Sequence, residues 1–148
     1  MKNEKSRCRW VTADSVYIDY HDKEWGVPVH DDRRLFEFLI LEGAQAGLSW
    51  LTVLKKRPRY KKVFDGFHAK KVAAYDSKKV KQLLNDAGII RNRLKIASAI
   101  SNARAFLKVQ KAFGSFDKYI WQFTGHRTLK NKWRRHGQIP PRRRSPMR

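Results

Sequence analysis

Cysteine is almost absent from this sequence, and long apolar runs are missing altogether. Cys8 is the single cysteine in 148 residues, which excludes an internal disulfide framework and is typical of a reducing compartment. No apolar stretch reaches the length of a membrane span, and the basic residues 1–9 lack the apolar core of a signal peptide. We therefore predict a cytoplasmic protein that does not enter a membrane.

Acidic residues are also few. The chain has 13 of them against 34 lysines and arginines, which gives a formal net charge of +21. Nine of the basic residues lie between Arg127 and Arg148, but base exceeds acid in the rest of the chain as well. Such a charge attracts polyanions and makes their binding depend on salt. It indicates a nucleic-acid partner, with a generally basic soluble protein as the alternative.

Strand-like alternation is missing too, whereas helix caps and stops recur along the chain. The length suits one domain, and 41% hydrophobic residues are enough for a packed core. We predict one all-α domain over residues 1–139, followed by a disordered basic tail over residues 140–148. The predicted helices run from a cap at Asp14 to about His21, from a cap at Asp31 or Asp32 to Ala46, from Ser49 to Lys56 before Pro58, from a cap at Ser77 to Leu84, from Arg91 to Lys111, and from Phe116 to Phe123.

A carboxylate interrupts the apolar stripe of the second predicted helix. On a helical wheel Glu42 shares a face with four apolar residues, and Glu37 points the other way; the four are Leu35, Phe38, Leu39 and Ala46. Such a carboxylate either accepts backbone donors at a neighbouring helix start or recognises a ligand with donor groups or positive charge. Trp50, with its flat face close by in sequence, favours the ligand.

Two further groups could bind ligands. Four aromatic residues crowd the N-terminal region, a pattern that belongs to a core more often than to a pocket; they are Trp10, Tyr17, Tyr20 and Trp25. Cys8 and His21 are candidate soft metal ligands, but two ligands do not make a structural zinc site, which needs four. The other histidines show no ligand spacing.

Residues 84–96 are typical of a helix, a glycine-containing hairpin and a second helix. A hairpin of this kind around Gly88 would present backbone N–H groups and the positive end of the next helix to a phosphate. Arg91, Arg93 and Lys95 add positive charge. The alternative is an ordinary helical turn with a solvated basic face.

Several segments together resemble one family. They include Cys8–Arg9–Trp10, the H-D-x-E-W-G-x-P string of residues 21–28, the L-E-G-x-Q-A-G-L-S-W string of residues 41–50, and Asp86–Ala87–Gly88–Ile89–Ile90–Arg91. Their order and spacing over about residues 8–140 are similar to those of the constitutive bacterial DNA-3-methyladenine glycosylases. The resemblance implies a helix-hairpin-helix glycosylase domain, incomplete at its C-terminus.

The resemblance also implies an activity. Members of the family extrude a damaged nucleotide from double-stranded DNA and hydrolyse the N-glycosidic bond of 3-methyladenine, as monofunctional enzymes without a catalytic aspartate. We expect the same of this chain, acting as a monomer. The rival hypothesis is a truncated fragment that binds DNA without catalysis.

Individual residues take roles from the same resemblance. Glu42 matches the pocket carboxylate and Trp50 the ring that stacks on the base. Trp10, Tyr17 and Tyr20 match the remaining aromatic wall. The residues expected to contact DNA are Gln45 and Leu48, which fill the gap left by the extruded base, and Gly88, Arg91 and Arg93, which hold the backbone; Lys95 is expected to face DNA as well.

A zinc site is implied only in part. Cys8 and His21 match two of the family's four zinc ligands, and the other two come from a C-terminal segment that this chain does not have. We therefore expect zinc affinity to be largely lost, and an apolar surface to be left uncovered.

Overall fold

Helices make up all of the regular structure in the part of the chain that the computed structural model describes, residues 6–133 and residue 138. There are seven α-helices over these residues: α1 (Ser15–Lys23), α2 (Asp32–Gln45), α3 (Trp50–Val63), α4 (Ala69–Ala73), α5 (Ser77–Leu84), α6 (Arg93–Phe113) and α7 (Phe116–Trp121), with 3-10 turns at Asp65–Phe67 and Gln122–Thr124. The predicted all-α class is confirmed. The predicted tail, 140–148, lies outside the described residues.

Side-chain caps explain where most helices begin. Asp14 accepts a hydrogen bond from the Val16 N–H, Asp31 from that of Arg34, and Ser49 from that of Thr52. Of the two predicted candidates for α2, Asp31 is therefore the cap.

Two predicted starts are wrong by one or two residues. Helix α5 is capped by Asp76 and not by Ser77, since the Asp76 carboxylate accepts from the Lys79 N–H at 2.8 Å. Helix α6 begins at Arg93 and not at Arg91, because Asn92 caps it through the Lys95 N–H.

Helix α3 continues through Pro58, where the sequence predicted an end. Proline removes one backbone donor and crowds the preceding turn. The residues on either side, Leu54 and Tyr60, are buried in the core, and Arg57 is ion-paired to two carboxylates. Packing on both sides of the proline therefore outweighs the lost hydrogen bond.

Helix α4 and the turn before it were not predicted from the sequence. Asp65, Gly66 and Phe67 all have φ between 51° and 60°, a left-handed run that L-residues rarely adopt. Phe67 is fully buried, and the Tyr75 hydroxyl donates to the Asp65 carboxylate at 2.6 Å. These tertiary contacts hold the turn in a conformation that local sequence does not favour.

The core lies between α2 and α6. Phe36 and Ile40 of α2 and Ala103 and Phe106 of α6 are buried, and the rings of Phe36 and Phe106 meet edge to face at 5.0 Å. The buried face of α2 consists of Phe36, Ile40, Leu41 and Ala44. The predicted stripe containing Glu42 is thus not the core face, and it leaves Leu39 and Ala46 exposed.

Asp32 connects the start of α2 to the last α-helix. Its carboxylate accepts hydrogen bonds from the Gln110 side chain at 2.6 Å and from the backbone N–H groups of Phe116 and Asp117 at 2.9 and 2.8 Å. Burial raises the pKa of Asp32, but these three hydrogen bonds outweigh it and lower the pKa below the ordinary value. The first turn of α7 is therefore capped by a residue of α2.

No helix among the described residues has the length and hydropathy needed to cross a membrane.

Candidate functional site

A small aromatic cavity lies where α1, α2 and α3 meet. Its volume is about 280 Å³, and its lining residues are Trp10, Tyr17, Tyr20, Trp25, Glu42, Gln45 and Trp50. The volume is at the lower end of the range for ligand pockets, which begins at roughly 300 Å³. The structure thus brings together Glu42, Gln45 and the four aromatic residues that were predicted to bind a base, which are Trp10, Tyr17, Tyr20 and Trp50.

The rings form a buried floor and an exposed rim. Tyr20 and Trp50 are 7% and 9% exposed and meet edge to face at 5.4 Å between ring centroids. Trp10 and Trp25 are 37% and 53% exposed and are 5.4 Å apart. Tyr17 lies against Trp10 at 5.0 Å. The aromatic cluster therefore belongs to the core at Tyr20 and Trp50 and forms the exposed wall of the cavity at Trp10 and Trp25.

Trp25 lines the cavity but was not among the predicted base-binding residues. The backbone N–H groups of Glu24 and Trp25 both donate to the Tyr20 carbonyl, at 2.9 and 3.0 Å. This wide turn at the end of α1 brings the Trp25 ring back towards Tyr20, 6.4 Å away. The signals in the sequence were its place in the N-terminal aromatic cluster and in the H-D-x-E-W-G-x-P string.

Glu42 reaches the cavity without a partner. Among the described residues it makes no hydrogen bond or ion pair, so the backbone donors of the alternative interpretation are not found. The residue is exposed as a whole, but partial burial of its carboxyl group raises its pKa. A partly buried carboxylate without a partner among the described residues is suited to a ligand that carries positive charge or N–H donors.

Two polar groups lie on the floor of the cavity, the Tyr20 hydroxyl, whose pKa is shifted, and the Trp50 indole N–H, which lacks a hydrogen-bond partner among the described residues. Burial raises the pKa of Tyr20, and the negative charges of Glu42 and Glu24 add to the rise. The Trp50 indole N–H is buried and makes no hydrogen bond within the described residues, although Trp50 is near enough to the Tyr20 hydroxyl to oppose part of that rise. An unmet buried donor beside a cavity is a place for a ligand acceptor.

One guanidinium joins the three helices that carry the cavity. Arg57 of α3 donates to Glu24, at the end of α1, at 2.7 and 3.0 Å, and to Glu37 of α2 at 2.8 Å. It also lies 5.4 Å from the Phe38 ring. Burial opposes the charge of Arg57, but the two carboxylates prevail and raise its pKa. The Glu37 side chain therefore forms an ion pair and does not extend into open solvent.

The loop between α2 and α3 carries the two residues predicted to enter the DNA gap. Its turn has Gly47 at φ 77°, and the Leu48 N–H donates to the Gln45 carbonyl at 2.6 Å. Gln45 lines the cavity, and the Leu48 side chain is 39% exposed beside it. Gln45 therefore lies in the cavity wall, and Leu48 is an exposed apolar residue of the turn that follows it.

Contacts within the hairpin between α5 and α6, and contacts from this hairpin to α3, stabilise its conformation. The Asp86 carboxylate accepts from the Gly88 N–H at 2.8 Å and pairs with Arg59 at 2.7 Å, and the Tyr60 hydroxyl accepts from the Ile90 N–H. A Cβ on Gly88 would come within 2.4 Å of the Arg59 Cγ, so glycine is required here for close approach. The Gly88 N–H is therefore engaged within the hairpin and is not the donor expected for a phosphate.

Positive charge near the hairpin is arranged differently from the expectation. Arg91 and Arg93 are exposed, and neither makes an ion pair within the described part of the chain. Arg93 opens the first turn of α6, whose N–H groups have no intrahelical acceptor. Lys95 donates to the carbonyls of Ala44 and Ala46. Its ammonium group is therefore engaged at the end of α2, and its contact with DNA stays a prediction.

Cys8 and His21 lie side by side, but they do not form a complete metal site. The Cys8 N–H donates to His21 Nε2 at 3.4 Å, and His21 Nδ1 lies 3.0 Å from the Asp22 carboxylate. No group of three or more potential ligands occurs among residues 6–133. A structural zinc site needs four ligands, so the two present do not fit that role by themselves.

Comparison with known proteins agrees with this geometry. The family model for methyladenine glycosylase matches residues 10–146. The chain is 52% identical over 120 residues to DNA-3-methyladenine glycosylase 1 of Escherichia coli K12, covering 81% of this chain and 64% of that protein.

Solved structures are similar as well. A crystal structure of 3-methyladenine DNA glycosylase I superposes with a TM-score of 0.86 at 47% identity, covering 91% of this chain and 74% of that one. A Staphylococcus aureus structure described as showing the basis of 3-methyladenine recognition gives 0.79 at 38% identity, covering 82% and 64%. The chain thus spans about two thirds of the length of such relatives, and it belongs to the methyladenine glycosylase family.

Proposed function

We propose that this chain hydrolyses the N-glycosidic bond of 3-methyladenine in alkylated DNA. Two points support the proposal: its membership of the family, and an aromatic cavity with an unpartnered carboxylate at its edge. The carboxylate of Glu42 is the observation that carries it, because a partly desolvated anion in the wall of an aromatic cavity is suited to a cationic ligand.

The chemistry asks for recognition more than for a strong acid or nucleophile. Methylation at N3 places positive charge on the adenine, which weakens its bond to the sugar and makes the base a good leaving group. Glu42 would accept hydrogen bonds from the base and complement its charge. Shielding from water strengthens that interaction, and the faces of the aromatic wall attract the cation.

The remaining predicted residues take part through the DNA. Gln45 and Leu48 would fill the gap left by the extruded base, since Gln45 lines the cavity and Leu48 is exposed in the adjoining turn. Arg91, Arg93 and the first turn of α6 would hold backbone phosphate. We propose double-stranded DNA as the partner of a monomer.

The test is release of free 3-methyladenine from methylated duplex DNA by the wild-type chain and by Glu42→Gln. Loss of one charge-complementary contact is expected to lower the rate by on the order of a hundredfold. Asp19→Asn is the matched control, because it removes one negative charge from an exposed position of α1. Equal release by Glu42→Gln and wild type would contradict the proposal.

The alternative is a DNA-binding chain without catalysis. The half-exposed rim of Trp10 and Trp25 favours it, because a cavity open at this edge shields the base less. Under this alternative the wild-type chain and Glu42→Gln bind duplex equally and neither releases base.

We infer that Cys8 and His21 alone do not hold zinc at structural affinity. Two donors leave half of a tetrahedral site unfilled. Equimolar zinc is expected to leave the Tm of the wild-type chain and of Cys8→Ser equal. A zinc-dependent rise in Tm that Cys8→Ser abolishes would contradict this inference.

A further inference from the structure

We propose that Lys95 is a positioning residue, which fixes the segment between Glu42 and Trp50 to the first turn of α6. Its catalytic consequence rests on the proposed function, whereas its structural consequence can be measured without any catalysis.

The contacts of the Lys95 ammonium group are made across the fold. Its Nζ donates to the Ala44 carbonyl at 2.9 Å and to the Ala46 carbonyl at 2.6 Å. The carbonyl between them, that of Gln45, accepts from the Leu48 N–H. Three consecutive carbonyls at the end of α2 are therefore satisfied, two of them by one side chain that lies 49 to 51 residues away in sequence.

The C-terminal end of α2 needs a cationic donor from elsewhere in the chain, because its own last turn supplies none. The last carbonyls of a helix have no intrahelical donor, and the negative end of the helix dipole favours a nearby cation. The last turn of α2 contains no basic residue. Lys95, half-buried on α6, supplies both the donors and the charge.

This position connects two parts of the proposed site. On one side of the lysine, the Lys95 backbone N–H is bonded to the Asn92 cap at the start of α6, next to Arg93. On the other side, the residues it holds separate Glu42 from Trp50. Lys95 therefore contributes, beside the core packing of α2 on α6, to the spacing between the proposed phosphate site and the base cavity.

The experiment compares Lys95→Met with Arg93→Gln, each of which removes one positive charge. Hydrogen exchange of residues 44–50 is expected to be at least about tenfold faster in Lys95→Met and unchanged in Arg93→Gln, because only the first loses the α2 contacts. Lys95→Arg keeps N–H donors for both carbonyls, and it is expected to restore most of the protection against hydrogen exchange.

The salt dependence of duplex binding separates positioning from phosphate contact. Loss of a phosphate contact reduces the slope of log K against log salt by about one. We expect that reduction in Arg93→Gln and not in Lys95→Met. A reduced slope in Lys95→Met with unchanged exchange would overturn the proposal.

Excision gives a third measure. A shift of Glu42 against Trp50 is expected to lower kcat of Lys95→Met by about ten- to a hundredfold. If the wild-type chain releases no base, the proposed function fails while the exchange and salt results still decide the role of Lys95.

Amine labelling of the wild-type chain keeps the test valid if Lys95→Met does not fold. Lys95 is expected to react slowly both with and without duplex, because its ammonium group is already bound to carbonyls. A lysine that reacts readily in the free protein and is protected only by DNA would overturn the proposal.

Discussion

Glu42 carries an electrostatic cost in the folded state. Its carboxyl group has no partner among the described residues, and partial burial raises its pKa. The ionised form is therefore less favourable in the folded chain than in the unfolded chain. A cationic base would supply the missing interaction.

The raised pKa of Glu42 predicts a stability difference that depends on pH. A carboxyl group with a raised folded pKa contributes stability below its unfolded pKa of about 4.3, and this contribution is lost as pH rises through the folded pKa. We therefore expect Glu42→Gln to melt at a higher temperature than wild type at pH 7, with a smaller difference at pH 4.5. Melting curves at the two pH values measure this, and a difference that shrinks as pH rises would refute it.

Arg57 acts in the opposite sense, as a residue whose loss removes an ion-pair partner from two carboxylates. Arg57→Met would leave the half-buried carboxylate of Glu37 without this partner and that of Glu24 with Arg34 alone. Because their side chains keep some contact with water, we expect a loss of on the order of 3 kcal/mol, the lower end for a broken buried pair. Denaturant unfolding measures the free energy of unfolding.

Arg59→Met is the control for that change, since it lies on the same helix. The Arg59–Asp86 pair is more exposed, so its loss is expected to lower the free energy of unfolding by less than about 1 kcal/mol. Equal losses in the two variants would contradict the role given to Arg57.

The residues of the site were more predictable than their contacts. Glu42 and Trp50 could be singled out because a carboxylate in an apolar stripe and a nearby ring are visible in the sequence itself. The role of Lys95 could not, because its acceptors are backbone carbonyls in another helix. No local pattern in the sequence specifies a contact of that kind.

At the scale of elements, the hairpin between α5 and α6 depends on close packing at Gly88. In Gly88→Ala the new methyl group would overlap the Arg59 Cγ, so Arg59 must move and its pair with Asp86 is lost. We expect a loss of about 1–2 kcal/mol in the free energy of unfolding and weaker duplex binding.

A double variant tests the cause. In Arg59→Ala the space beside Gly88 is open, and adding Gly88→Ala is then expected to cost much less than it does in the wild-type chain. An equal loss in both backgrounds would show that the hairpin itself, and not Arg59, rejects the methyl group.

The starts of α1 and α3 could be predicted because Asp14 and Ser49 cap these helices through hydrogen bonds that span two or three residues. The start of α5 was misplaced although Asp76 caps it in the same way, because Ser77 beside it is also a residue that caps helices. The passage of α3 through Pro58 and the left-handed turn at 65–67 could not be predicted, because burial of distant residues decides them. The core face of α2 was missed for a related reason, since a wheel cannot tell a core stripe from a cavity stripe.

At the scale of the whole molecule, the net charge of +21 should govern DNA binding. Phosphate contacts carry the salt dependence, whereas the damaged base carries the specificity. We expect affinity for duplex to fall by about a thousandfold or more between 50 and 200 mM salt if at least six phosphates are contacted. Methylated and unmethylated duplexes are expected to give parallel slopes in a fluorescence anisotropy titration, and slopes that diverge would mean that the base site contributes to ion release.

The link from Asp32 to α7 has a consequence for how the chain is made. Helix α7 has six residues, too few to be stable alone in water, and two of its first N–H groups bond a carboxylate 84 and 85 residues earlier. During synthesis α2 leaves the ribosome long before α7 has been made. Until then Asp32 of α2 lacks the N–H donors of Phe116 and Asp117. The contact between α2 and α7 can therefore form only after residue 117 has emerged, and α7 should gain its stability from the completed α2 rather than by itself.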